Sequence, residues 1–194
     1  MIGTGKLTKS CKLREETEAN VILTCGTRNL SPNLAGDDVS TGSLPLKMDG
    51  FHFDEIIRVR KVDADGKKYD KVSRIEAESN DGATSIQLDI NSELYPMQRK
   101  ELYRMVISTT LSMDGSAVTS HPPEGEQKSL ADKFEYIVHG LVYKVSMDTS
   151  GPDKKVVVYV SFGGLQLMLK SDPLKTQKFK LDQKLFLLLR KMVK

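Results

Sequence analysis

The fold is decided by one stretch of the sequence, Val156-Val157-Val158-Tyr159-Val160-Ser161-Phe162-Gly163-Gly164-Leu165-Gln166-Leu167-Met168-Leu169-Lys170. Its apolar and β-branched residues predict two strands, at positions 156–161 and 165–170, on either side of Phe162-Gly163-Gly164. Paired glycines within a strand pattern indicate a bulge, a bend or the close approach of another backbone. We favour a corner of a small barrel, whose closure needs such bends. A docking surface for a partner is the alternative.

The same period of two extends in both directions from this stretch. Further strands are predicted at 51–62, 69–78, 86–91, 102–111, 134–147 and 184–192, and the turn sequences between them include Asp63-Ala64-Asp65-Gly66 and Asn80-Asp81-Gly82. Seven to nine short strands without a β-α-β alternation predict an all-β fold, either an antiparallel sandwich or an antiparallel barrel. Ser129-Leu130-Ala131-Asp132 has the form of a capping box, so it predicts one helical turn or, equally, a plain lead-in to the next strand.

Two segments, 156–160 and 185–189, are continuously apolar over five residues. A one-sided sheet would expose half of each run, so either the barrel and its surroundings bury both faces or a partner covers one. These are the longest apolar runs of the chain, and a membrane-spanning helix needs about 20 residues, so no membrane span is predicted.

The composition changes near residue 48. All six Phe and all six Tyr lie at Phe51 or later, and residues 1–47 are rich in Gly, Ser and Thr. A segment of this kind cannot bury enough apolar area to offset its ordering entropy. We therefore predict a disordered N-terminal extension over residues 1–47 and one β-barrel domain over residues 48–194.

The charge and the cysteines exclude several classes of protein. Lys plus Arg is 29 and Asp plus Glu is 26, so the net charge of +3 is too balanced for a binder that depends on bulk positive charge. The two cysteines, Cys11 and Cys25, cannot form a disulfide scaffold, and no secretory apolar segment is seen near the N-terminus. These features predict an intracellular protein.

No catalytic or metal-binding pattern stands out. The three histidines, His52, His121 and His139, are not spaced as metal ligands, and His139 is interpreted as an ordinary sheet residue. The sequence Asp63-Ala64-Asp65-Gly66 fails as a calcium loop, because Lys61 and Val72 would stand at positions that need oxygen ligands. No nucleophile elbow or nucleotide-binding glycine motif occurs. We predict a protein that is not an enzyme, with no cofactor and no metal.

One basic cluster contains an aromatic residue, which suits contact with nucleic acid. Cations at a strand end can neutralise phosphates, and a neighbouring tyrosine can stack on a base. A solvated hairpin is the alternative, since four nearby carboxylates dilute the positive field. They are Asp65, Asp70, Glu76 and Glu78. The candidate nucleic-acid-binding residues are Lys67, Lys68, Tyr69, Lys71 and Arg74.

Several motifs, in this order, resemble one family. They are Phe53-Asp54-Glu55-Ile56, the run from Asp65 to Arg74, Leu130-Ala131-Asp132-Lys133-Phe134-Glu135-Tyr136, and Tyr159-Val160-Ser161-Phe162-Gly163-Gly164-Leu165. The family is the eighth subunit shared by nuclear DNA-directed RNA polymerases I, II and III. The C-terminal sequence from Leu181 to Lys191 resembles plant members most. The resemblance covers residues 51–191, and the first 47 residues have no counterpart in it.

The resemblance implies an antiparallel β-barrel related to the OB-fold, with little helix. It implies a non-catalytic structural subunit in the nucleus, including the nucleolus, docked on the largest polymerase subunit and in contact with other subunits. It also associates the first hairpin region, residues 63–86 here, with non-specific single-stranded DNA binding. The alternative function is a free OB-type module that binds single-stranded nucleic acid.

Two departures from the family pattern occur within the resemblance. Arg58 and Arg60 make the first strand unusually basic, and Met97-Gln98-Arg99-Lys100 replaces a short turn that usually contains glycine.

Overall fold

The computed structural model describes residues 21–22, 51–112, 129–151 and 153–192. Its strands are β1 (Val21–Ile22), β2 (Phe51–Val62), β3 (Val72–Ser79), β4 (Ser85–Asn91), β5 (Leu102–Ser108), β6 (Tyr136–Asp148), β7 (Lys155–Phe162), β8 (Leu165–Ser171) and β9 (Lys184–Met192). A single 3-10 turn (Leu130–Lys133) and a single short helix, α1 (Pro173–Thr176), are the helical elements of this part of the chain. The helical content is therefore as small as the sequence predicts.

Eight of the strands close into a ring. Their order is β6-β7-β8-β4-β3-β2-β5-β9, and β9 pairs again with β6. All of these pairings are antiparallel. The predicted antiparallel barrel is confirmed, and the sandwich alternative is excluded.

β6 closes the ring because its two halves pair with different neighbours. Its first half, from Tyr136 to Leu141, pairs with β9, and the second half, from Leu141 to Asp148, pairs with β7. Gly140 lies where the pairing changes. A Cβ at this position would lie 2.3 Å from the carbonyl oxygen of Ser161 and 2.4 Å from the Phe162 ring, so only glycine lets β6 cross β7 this closely.

The paired glycines form a hairpin turn, and the preferred prediction of a barrel corner was wrong. Phe162 pairs directly with Leu165, so Gly163 and Gly164 are the two central residues of the turn between β7 and β8. Their φ values are +58° and +97°, which is the type I′ geometry that matches the twist of antiparallel strands. Both φ values lie in the region that side chains with a Cβ disfavour.

The apolar runs are buried mainly by the chain itself. Along β9, Leu185, Leu187 and Leu189 point into the barrel core, whereas Leu188 belongs to a second cluster on the outside. That outer cluster also contains Leu130 and Phe134, which the 3-10 turn carries to the barrel wall. The first of the two alternatives for the run at 185–189, burial of both faces, is therefore confirmed within the described residues.

The 3-10 turn begins with the capping box that the sequence indicates. The Ser129 hydroxyl accepts a hydrogen bond from the Ala131 amide at 3.1 Å, and the Ser129 amide donates to Asp132 at 3.2 Å. The two bonds satisfy amides that a helix start would otherwise leave unpaired. The helical-turn alternative is thus confirmed over the strand lead-in.

Some boundaries differ from the predicted ones. β3 begins at Val72 instead of Tyr69, because the residues before it belong to a wide loop. α1 has no counterpart among the predictions, since a segment of four residues that begins with proline is too short to show a helical period. No helix of the described residues is both long and apolar enough to cross a membrane.

The predicted disordered extension, residues 1–47, lies outside the described residues except for Val21–Ile22. Those two residues form β1, which pairs with Ile137 and Val138 of β6. Cys11, Cys25 and His121 also lie outside the described part of the chain.

Candidate nucleic-acid interface

The loop between β2 and β3 carries most of the predicted nucleic-acid contacts. It starts with a turn in which the Gly66 amide donates to the Asp63 carbonyl at 2.9 Å, and Gly66 adopts a φ of +86°. The Asp63 carboxylate accepts the Arg74 amide at 2.8 Å, which ties the loop to the start of β3. Lys67, Lys68 and Tyr69 are exposed in this loop, and Tyr69 keeps 68% of its surface. These three residues are free to meet a ligand from solvent.

Arg74 is engaged by a carboxylate of its own chain. Its Nε and Nη2 donate to the two carboxylate oxygens of Asp89 at 2.7 and 2.8 Å, across the β3–β4 pair. This paired geometry is the strongest form of an arginine–carboxylate contact. The hydrogen bonds from Arg74 to Asp89 raise the pKa of Arg74 further above its usual value. A phosphate would have to compete with Asp89 for this guanidinium.

Lys71 is intermediate between the exposed loop residues and Arg74, which a carboxylate engages. Its ammonium lies 3.1 Å from Glu93, but 71% of the lysine side chain is exposed. Exposed ion pairs of this kind contribute only about 0–1 kcal/mol, so an incoming phosphate could replace Glu93.

The fold brings carboxylates of the neighbouring strands to the loop, in addition to those within the loop itself. Asp63, Asp65, Glu76 and Asp89 line one small cleft together with Lys68, Tyr69 and Arg74. The cleft has a volume of about 40 Å³. Mixed charge weakens the local potential for a phosphate. The structure brings the five predicted residues close together in the β2–β3 loop and at the start of β3, and within the described part of the chain no ion pair engages Lys67, Lys68 or Tyr69.

Four further cations lie together on another part of the surface. Arg58, Arg60, Arg99 and Lys100 line a cleft of about 490 Å³ with Val59 and Leu102, and we call it the arginine cleft. Arg58 and Arg60 form one basic segment of the sequence, and Arg99 and Lys100 form another. The two segments are far apart in the chain, since 39 residues separate Arg60 from Arg99. Only the pairing of β2 with β5 brings the two halves together.

Four apolar residues are exposed along the second half of β6. Leu141, Tyr143, Val145 and Met147 are exposed to 38%, 41%, 40% and 66%. Tyr143 is the extra residue of a bulge, and its ring lies 5.9 Å from that of Tyr159 on β7. The bulge reverses the alternation of side chains, so Leu141 and Tyr143 lie on one face of the strand and Val145 and Met147 on the other. Both faces of this half of β6 therefore expose apolar side chains, and we call the four residues the β6 patch.

The described histidines have structural surroundings. His139 lies in β6 with its ring 4.8 Å from that of Phe186, as the interpretation of a sheet residue requires. Burial and the charge of Lys184 lower the pKa of His139. Burial and Lys178 likewise lower the pKa of His52, whose Nε2 lies 2.8 Å from the Gln183 amide nitrogen. No group of three or more metal-ligating side chains occurs within residues 51–112, 129–151 and 153–192.

Comparison with known proteins gives a consistent result. The family model described as RNA polymerase Rpb8 matches residues 54–191. A protein of Arabidopsis thaliana named DNA-directed RNA polymerases II, IV and V subunit 8B is 45% identical over 140 residues, which cover 72% of this chain and 95% of that protein.

Relatives outside plants are also similar. The probable DNA-directed RNA polymerases I, II, and III subunit RPABC3 of Caenorhabditis elegans is 37% identical over 146 residues, covering 74% of this chain and 98% of the relative. The subunit RPABC3 of Saccharomyces cerevisiae is 37% identical over 131 residues, covering 62% of this chain and 84% of the relative. The matched stretch contains almost the entire barrel, from β2 to β9, so this chain belongs to the RNA polymerase Rpb8 family.

Proposed function

We propose that this chain is a non-catalytic subunit common to the nuclear DNA-directed RNA polymerases I, II and III. It supports assembly and DNA-templated transcription by docking on the largest subunit, and it acts in the nucleus and nucleolus. The observation that carries the proposal is the family match over residues 54–191, together with relatives whose names describe shared polymerase subunits. A barrel whose core is filled by side chains suits a structural role.

The β6 patch is the surface proposed to meet the largest subunit. Its exposed apolar side chains lie on a rigid strand that is paired with β7, so they would be positioned before binding. Burial of apolar area on assembly would stabilise the complex. Tyr143 and Met147 are the anchors with the greatest apolar area to lose.

The test is an affinity purification of the tagged full chain from nuclear extract, with the bound chains identified by mass. We expect the large subunits of several RNA polymerases to be recovered. Tyr143→Asp with Met147→Asp should abolish that recovery, because a charge would be buried without a partner. The matched control is Leu94→Asp with Met192→Asp, which changes two exposed apolar residues that do not pair with the second half of β6. Recovery of no polymerase with the unmodified chain would contradict the proposal.

A second proposal concerns the β2–β3 loop as a contact for single-stranded DNA. The exposed lysines Lys67 and Lys68 beside the exposed ring of Tyr69 favour it, because they combine charge with a stacking surface. Lys71 would join them after leaving Glu93, and Arg74 would remain with Asp89.

The loop proposal predicts that changing Lys67, Lys68 and Lys71 to Gln weakens binding of single-stranded DNA and reduces its dependence on salt. Tyr69→Leu should weaken binding without a change in the salt dependence, because it removes stacking only. Unchanged affinity in both variants would remove the loop as a contact site.

A further inference from the structure

One edge of β6 is not paired by the strands of the barrel. Leu141 pairs with Lys184 of β9 on one edge of β6 and with Ser161 of β7 on the other. The pairing with β9 continues back to Tyr136, whereas the pairing with β7 starts only at Leu141. Between Tyr136 and Gly140, therefore, no strand of the described barrel lies along the edge that β7 follows further on. We call this edge of residues 136–140 the β6 notch.

The short strand β1 lies in the β6 notch. Ile137 pairs with Leu188 of β9 and with Ile22 of β1, so β1 and β9 lie on opposite edges of β6. It follows that β1 lies on the same edge as β7. A second pair joins Val21 to Val138, and the pairing is antiparallel. The notch is thus filled by a segment that precedes the barrel in the sequence and lies outside the family match, which begins at residue 54.

The backbone of the notch needs a hydrogen-bonding partner, because its residues are buried. Tyr136, Ile137 and Val138 keep only 1%, 0% and 2% of their surface. Ile137 belongs to the outer apolar cluster and Val138 to the barrel core, so both faces of β6 are packed here. A buried amide or carbonyl without a partner costs about as much as a lost hydrogen bond. An extended polypeptide segment satisfies such an edge by adding a strand to it.

The length of the notch restricts what can bind there. Its five residues correspond to roughly 17 Å of extended chain. At the Gly140 end, β7 takes over the edge, and the Phe162 ring lies close to Gly140. A longer strand would run into β7, and so would the edge of a second sheet. The notch therefore selects a short, single extended segment.

The sequence of the extension suits this site. Val21-Ile22-Leu23 is the longest apolar run of residues 1–47, and β-branched residues favour strands. β1 contains only two residues, and pairing this short is marginal on its own. Because β1 and β6 belong to one chain, the effective concentration of β1 at the notch is on the order of millimolar. A strand held in this way is present at the notch but can be displaced.

We propose that the β6 notch is a binding site for a short extended polypeptide segment and that β1 is its intramolecular ligand. While β1 is bound, the notch is closed to segments of other chains. When β1 leaves, a segment rich in β-branched residues can pair with Ile137 and Val138 in the same antiparallel register. The notch lies on the first half of β6, apart from the β6 patch on the second half, and its binding does not depend on docking to a polymerase.

The first test measures hydrogen–deuterium exchange of the full chain by mass spectrometry, with peptides that cover residues 134–141. The notch variant carries Val21→Pro and Ile22→Pro, because proline donates no backbone hydrogen bond and is excluded from the middle of sheets. The control carries Leu34→Pro and Ala35→Pro, which place two prolines in the extension but outside β1. Circular dichroism checks that both variants are folded. Val21→Gly with Ile22→Gly is a milder second variant.

We expect the amides of the notch to exchange about tenfold faster or more in the notch variant, since an uncovered edge is open to solvent. Peptides from β3 and β4 are the internal reference and should keep their rates in every variant. The control should exchange like the unmodified chain. Unchanged exchange of the notch amides would overturn the proposal. Equal acceleration throughout the barrel would also overturn it, because it would show a general loss of stability.

The second test measures binding of a separate segment to the notch. A fluorescent peptide of residues 17–24 is followed by anisotropy. It should bind the notch variant at least about tenfold more tightly than the unmodified chain, in which the tethered β1 competes. The same peptide with Val21→Pro and Ile22→Pro should not bind.

Three results of this second test would overturn the proposal. Equal affinity of the peptide for the notch variant and the unmodified chain would show that β1 does not close the site. The absence of binding to the notch variant would show that the notch accepts no separate segment. A dimer of the unmodified chain in size-exclusion chromatography, lost in the notch variant, would assign β1 to the notch of a second copy.

Discussion

At the scale of single residues, Gly140 has the strictest requirement. The Cβ that any other residue would add would overlap the main chain of Ser161, which cannot move without disturbing the β6–β7 pairing. The sequence shows a glycine beside His139 but gives no reason for it, because the neighbour that excludes a side chain lies about 20 residues further along the chain. Only the three-dimensional crossing of two strands reveals the cause.

We predict that Gly140→Ala destabilises the barrel by about 1–3 kcal/mol, the usual cost of forcing extra atoms into a packed site. Gly151→Ala is the matched control, since a Cβ at that position meets nothing within 4 Å. Urea denaturation followed by circular dichroism measures both variants. Equal midpoints for Gly140→Ala and the unmodified chain would contradict the crossing described above.

At the scale of elements, the sequence predicts the strands well because their faces have a clear period. The period of two that predicts the strand at 69–78 places Ser73, Ile75 and Ala77 on one face, and all three are buried. The prediction for Gly163 and Gly164 was wrong because a glycine pair fits a bend and a two-residue turn equally well in sequence. The direct pairing of Phe162 with Leu165 distinguishes them, and that is a long-range property of two whole strands.

The 3-10 turn begins at the capping residue Ser129, a local feature of the sequence whose contribution to stability can be measured. Ser129→Ala should destabilise the chain by about 0.5–2 kcal/mol, because the Ala131 amide loses its acceptor. Ser129→Asp should recover most of this stability, since aspartate is an equally good N-cap. Thermal unfolding of the two variants provides the comparison. A Ser129→Ala protein as stable as the original would show that Leu130 and Phe134 hold the turn without the cap.

At the scale of the whole molecule, ion pairs join distant parts of the barrel. Lys175 of α1 contacts Glu55 of β2 at 2.5 Å and Asp81 of the β3–β4 turn at 2.8 Å. The hydrogen bond from Lys175 holds the pKa of Asp81 well below its usual range, and Ser79 and the Ala83 amide add to this. Lys170 and Ser150 lower the pKa of Asp148 in the same way. Sequence spacing could not reveal these pairs, because 94 residues separate Lys175 from Asp81.

These shifts predict how stability depends on acid. A carboxylate whose pKa is lower in the folded state binds fewer protons there, so its contribution is complete above about pH 4 and is lost as the pH falls below that value. Lys175→Met should therefore reduce the loss of stability between about pH 4.5 and 2.5. Lys180→Met is the control, since Lys180 forms no ion pair among the described residues. Parallel stability curves for Lys175→Met and the unmodified chain would contradict the assignment of the Asp81 shift to Lys175.

In the candidate site, too, features formed by sequence neighbours could be predicted, whereas contacts made by strand pairing could not. The β2–β3 loop could be predicted because Lys67, Lys68 and Tyr69 are neighbours in the sequence. The carboxylate that engages Arg74 could not be predicted, since Asp89 reaches it only through the β3–β4 register. The arginine cleft could not be predicted as one site for the same reason, although both of its basic segments are visible in the sequence.

The position of β9 in the ring has a consequence for how the barrel closes. Among the described strands β9 comes latest in the chain, yet it pairs with both β5 and β6 and completes the circle. Whenever β9 is out of place, one edge of β5 and one edge of β6 are left unpaired together. Unpaired edges of this kind attract other chains. Loss or detachment of this one strand therefore turns a closed barrel into an open sheet that is prone to self-association.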